Sequence, residues 1–170
     1  EEMTTRPTFV RATIEDSMYR GVIVDRFYDK SDISNLHNTQ AVFEDLVIRG
    51  TGGPGAKTPG LGMHAMDVNT SSVRLTGQNL IEDNPVPSRF YMIDSSTKIT
   101  NLTFNNNGNP STLAQPWERT SLAIRSASWT SSGPPQIHGL TVENSSGVGA
   151  HLTKGGVIGS DWQISGSGGT

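Results

Sequence analysis

The chain predicts an all-β fold with little or no helix, wound as a parallel β-helix of about five or six coils. Three observations lead there. A short apolar motif recurs along the chain, and each copy is followed by a loop and a second short strand. The composition also leaves long helices little uninterrupted room.

The first-strand motif is plainest in ITNLTFNN from Ile99 and IHGLTVEN from Ile137, thirty-eight positions apart. FEDLVIRG from Phe43 is a third copy, with glycine in the final place. VRLTGQNLIEDN fits more loosely, and DWQISGSGG near the end resembles a fifth copy. The second strands are MHAMDV, RFYMIDSS, SLAIRS and AHLTK, with RGVIVD as an early member. Apolar residues alternate, or nearly so, over these short spans, which excludes helical repeats. Propeller blades would show four strands per unit, whereas two are visible here. Residues 1–170 therefore read as one domain, with 1–20 an irregular lead-in and 21–166 the coils. The abrupt opening at Glu1 and the closing SGSGGT suggest a segment of a longer chain.

Stacking explains the corners. Asn tolerates the left-handed backbone region, and its amide can bond an identical amide one coil away. Asn106 and Asn144 are the expected corner column, and Gly50 and Gly166 meet the same backbone demand. The chain repeats because each coil can bury its apolar edge only against another like it.

With 170 residues the chain is one ordinary domain, large enough for a real core. Apolar residues are 33% and charged residues only 17%, so this is not a charge-expanded disordered chain. The remainder is rich in Gly, Ser, Thr and Asn, which suits short strands and many turns. A net charge of −3 argues against a general nucleic-acid binder. No apolar run approaches a membrane span, so no membrane insertion is expected. Zero cysteines exclude disulfides and thiolate metal sites.

On these paired strands, over about residues 20 to 166, the sequence resembles the right-handed parallel β-helix proteins of the pectate-lyase type. Within them it is most similar to bacteriophage tailspikes that hold and cut bacterial surface polysaccharide. The resemblance implies a homotrimer, a polysaccharide substrate, and a location outside the cell or on the virion surface. The site would lie on the outer face or between subunits. No family calcium motif or Arg cluster matches, so no catalytic residue is carried over.

Candidate chemistry comes from the second strands. Val24, Met66, Ile93, Ile124 and Leu152 take matching positions, and Asp25, Asp67, Asp94, Arg125 and Thr153 follow them. If these stack, Asp67 and Asp94 lie about 5 Å apart, since neighbouring strands are about 4.8 Å apart. That separation suits a retaining glycosidase, with Asp67 and Asp94 as acid and nucleophile or base. Arg125 would tune the pair. No cofactor is required, although the two carboxylates would also suit Ca²⁺. The plainer expectation is that each Asp ends its strand by capping the next turn.

The insertion GNPSTLAQPWERT supplies Trp117, Glu118 and Arg119, a tryptophan to stack on a sugar and two charges to bond its hydroxyls. The same tryptophan would equally well cover a core end or a subunit contact. The histidines show no metal spacing, and no GxSxG elbow is present. The functional expectation is a carbohydrate-recognising tailspike-like segment, depolymerising by glycoside hydrolysis. The alternatives are a non-catalytic adhesive fibre and a polysaccharide lyase.

Overall fold

A computed structural model describes residues 6–25, 40–52, 64–69, 71–108, 119–126 and 133–166. All regular structure among them is strand, so the all-β expectation is met. In chain order the strands are β1 (Thr8–Val10), β2 (Thr13–Glu15), β3 (Arg20–Asp25), β4 (Gln40–Glu44) and β5 (Val47–Arg49). Then come β6 (His64–Asn69), β7 (Ser72–Thr76), β8 (Asn79–Glu82), β9 (Ser88–Ile93) and β10 (Lys98–Asn105). The last are β11 (Leu122–Ser126), β12 (Gln136–Glu143), β13 (Ala150–Thr153), β14 (Ile158–Ser160) and β15 (Gln163–Ser165).

The described strands pair in parallel and form three rows. The first row runs β1-β4-β7-β10-β12-β14. The second runs β2-β5-β8-β10-β12-β15, so the long strands β10 and β12 pass through both. The third row, β3-β6-β9-β11-β13, is a separate sheet. Each strand therefore lies against the corresponding strand of the next repeat.

The first two rows meet at a column of left-handed residues: Arg11, Asp45, Gly77, Asn101, Gly139 and Asp161. A second such column closes the second row: Asp16, Gly50, Asp83, Asn106, Asn144 and Gly166. Asp, Asn and Gly recur there because their small or locally bonding side chains tolerate positive φ. Backbone donors at several bends are bonded to the next strand. Arg11 N–H bonds Glu44 O at 2.8 Å, Asp83 N–H bonds Asn105 O at 3.1 Å and Asn106 N–H bonds Glu143 O at 3.1 Å.

The motif register is as the sequence predicts. Ile99 pairs with Ile137, Leu102 with Leu140 and Phe104 with Val142. Phe43 stacks on Leu75, which stacks on Ile99. The looser copy is loose for a physical reason. Leu75 faces Ile99 while Leu80 faces Thr103, so its corner holds one extra residue between these pairs. The terminal copy also holds, with Ile164 on Val142.

Two details differ from expectation. Residues 8–15 are not an irregular lead-in: FVRATIEDS is a further copy, with Phe9 on Phe43 and Ile14 on Ile48. Ala12 at the usual leucine place hid it. A buried amide-on-amide bond also forms one residue past the predicted corner, between Asn84 Nδ2 and Asn107 Oδ1 at 2.8 Å. At the predicted corner, Asn106 Nδ2 bonds Asp83 Oδ1 (2.7 Å) and Asn144 Nδ2 bonds Asn105 Oδ1 (3.0 Å).

Inward residues of the three rows make one core, including Phe43, Leu46, Ile48, Met66, Val68, Leu75, Phe90, Phe104, Ile124 and Val142. Burying each such side chain stabilises by about 1.5–3 kcal/mol. At one end Phe9 stacks on Phe43 with centroids 5.0 Å apart and planes 14° from parallel. The core thus fixes which way every alternate residue faces, and so what the third row presents to solvent.

Candidate functional site on the outward face of the third row

Along each strand of the third row, alternate residues point in. Val24, Val68, Phe90, Ile124 and Leu152 form the inward line. The residues on either side make two outward lines. One is Ile23–Asp67–Arg89–Ala123–His151, and the other is Asp25–Asn69–Tyr91–Arg125–Thr153. Neighbours in a line sit on adjacent strands, about 4.8 Å apart.

This register corrects the expected column. Met66 faces Val22, not Val24, a slip of two residues. Ile124 faces Phe90 rather than Ile93, a slip of three residues, and Ile93 faces Ser126 after a register shift between Arg125 and Ser126. Met92 takes up the extra residue with a φ of 59°. A slip of two leaves every side chain on the same face, so apolar alternation cannot reveal it.

The carboxylates expected to stack therefore do not. Asp67 faces Arg89, and Asp94 lies five residues further along the same strand direction, roughly 16 Å by strand rise. Asp94 caps the turn that ends β9: its Oδ1 accepts from Ser96 N–H at 2.9 Å and from the Ser96 hydroxyl. Asp67 and Asp94 are thus not facing residues of the third row. The turn-capping expectation fits Asp94.

Asp67 is occupied differently. Arg89 grips it with two bonds of 2.9 Å, Nε to Oδ1 and Nη2 to Oδ2. The Asp67 side chain is 3% exposed and that of Arg89 36%, so the guanidinium roofs the carboxylate. Such a two-point pair holds both partners in one geometry.

Tyr91 lies two residues beyond Arg89 on the same face. The Arg89 guanidinium is 5.7 Å from its ring centre and that of Arg125 is 4.8 Å. Arg125 Nη1 also donates to the Tyr91 hydroxyl at 2.9 Å. Arg125 makes no ion pair among the described residues, and its Nε is buried there without a hydrogen-bond partner. Next along the line, Asn69 Nδ2 donates to Asp25 Oδ1 at 3.2 Å.

His64 stands at the start of β6. Burial pushes its pKa from 6.5 down to about 4; the Asp67 carboxylate opposes the shift, and Arg89 and Arg20 add to it. Its Nδ1 is buried and unpartnered among the described residues. The imidazole is thus neutral at physiological pH.

Arg119 is described, but far from Arg125. It precedes β11, and its Nη2 reaches Ser146 O at 3.3 Å, while Arg125 lies near the strand's other end. Trp117 and Glu118 lie outside the described residues. Sequence reading missed Arg89 and Tyr91. Their signal was available in RFYMID: with Phe90 inward, Arg89 and Tyr91 must face out.

No family model, curated protein or solved structure matches the chain.

Proposed function

We propose that the chain is a right-handed parallel β-helix segment that recognises polysaccharide along the outward face of its third row. The resemblance to phage tailspikes supports it, and so do three parallel rows with two columns of left-handed corners. The strongest single support is the line Asp25–Asn69–Tyr91–Arg125–Thr153. Five polar or aromatic groups at strand spacing make a straight track nearly 20 Å long, which suits an extended polymer. Carboxylate, amide, phenol, guanidinium and hydroxyl are the groups that bond sugar hydroxyls. In this reading the protein works as a homotrimer at the virion or cell exterior.

Binding rather than hydrolysis is the activity assigned to the track. Asp67 bonds Arg89 and Asp94 bonds a turn, so these two carboxylates do not face each other as a glycosidase pair would. The test is retention on a panel of immobilised bacterial surface polysaccharides. At least one polymer should retain the wild type, and Tyr91→Ala with Asn69→Ala should release it, with no new reducing ends. Retention unchanged by the double substitution contradicts the assignment. New reducing ends restore the glycosidase, and an ultraviolet-absorbing product assigns a lyase.

A further inference from the structure

We infer that the third row carries a subsite for an anionic substituent of a sugar, with Arg125 as its charge partner and Tyr91 as the residue that aims it. The inference rests on the polysaccharide reading and narrows it to acidic polymers bearing carboxylate, sulfate or phosphate.

The two outward arginines differ in one respect. Arg89 has its charge balanced by Asp67, which takes its Nε and Nη2. Among the described residues Arg125 meets the Tyr91 phenol, through Nη1, and no carboxylate. Its Nε–Nη2 edge, the edge with which Arg89 grips a carboxylate, holds no partner among the described residues. Nε itself is closed to solvent, so Nη2 is the amino group left to donate to a carboxylate or phosphate oxygen.

The guanidinium is also aimed. The Tyr91 hydroxyl fixes Nη1 while the ring, 4.8 Å from the guanidinium carbon, fixes its plane. A freely rotating arginine would lose this orientation on binding. Ala123, two residues earlier on the same face, contributes only a methyl between Arg89 and His151, so the neighbouring line is low beside Arg125. At the other end of the same line stands Asp25, bonded to Asn69. The track therefore has a direction. An acidic substituent belongs at the Arg125 end.

The test follows the arginine Nε–Hε signals of the full chain by NMR while sodium glucuronate, or glucose, is added. Glucuronate should shift the Arg125 signal saturably, with a Kd at least ten-fold tighter than for glucose. Arg125→Gln should weaken glucuronate binding, read at the Tyr91 ring signals, by ten-fold or more, and Arg125→Lys should restore part of it. Arg74→Gln, the same charge change on an outward position of the first row, should leave it within two-fold. Equal affinity for glucose and glucuronate, or an equal loss with Arg74→Gln, overturns the anionic subsite. If polysaccharide is still retained by the wild type, the binding reading survives that failure; if no polymer is retained either, both fall together.

Discussion

The β10–β12 pairing and the β6–β9 pairing obey the same stacking rule but differ in how their register is written. Between β10 and β12 the register is flanked by left-handed corners at Asn101 and Gly139, and again at Asn106 and Asn144. Between β6 and β9 no such pair of markers is found among the described residues. Register there is held by Val68 against Phe90 inside and by Asp67 against Arg89 outside. The first arrangement is backbone-determined and structural. The second depends on particular side chains, and those side chains also form the outward track.

Breaking the side-chain lock should have the largest effect. Arg89→Ala leaves the Asp67 carboxylate buried and unpaired, and the expected cost is about 3 kcal/mol, at the low end for such pairs because Arg89 is partly exposed. Chemical denaturation measures it. Adding Asp67→Asn should recover part of the loss, because it removes the stranded charge.

Acid should weaken the same region by a comparable or smaller amount. The His64 pKa is depressed on folding, so the unfolded chain binds the proton more tightly. Stability from this group is complete above about 6.5 and falls progressively as pH drops towards 4. The whole fall is at most about 3 kcal/mol. In urea melts across this window, His64→Gln should have a shallower pH dependence than the wild type. Identical slopes would remove His64 from the account.

The smallest effect belongs to the backbone-determined region. Gly139 has a φ of +67°, and a Cβ there would sit 2.7 Å from Asn101 Oδ1. Gly139→Ala should cost about 1–2 kcal/mol, from left-handed strain and a contact that Asn101 can relieve by rotating. Thermal unfolding reads it, and polysaccharide retention should not change.

The same contrast sets what the sequence made legible. The copies at Phe43, Ile99 and Ile137 could be aligned because Leu and an aromatic or β-branched residue keep their offsets between corners. The copy at Val73 was blurred by one extra corner residue, and the copy at Phe9 by Ala12 standing for leucine. In the third row the inward residues vary among Val, Met, Ser, Phe, Leu and Ile, so apolar pattern gives face but not register. The aspartates looked like a column because Asp follows an apolar residue three times, once in mid-strand and once at a turn beyond the Met92 bulge. Arg125 was found, since Ile124 and Leu152 do align, but its partner Tyr91 was not.

Cross-linking tests the register most directly, because the chain has no native cysteine to interfere. Asn69→Cys with Tyr91→Cys places two thiols on facing residues of adjacent parallel strands, within the Cα separation a disulfide accepts. That pair should oxidise nearly completely in the folded protein, while Asp67→Cys with Asp94→Cys should stay reduced. A disulfide in the second pair and none in the first would dissolve the track and the anion subsite together.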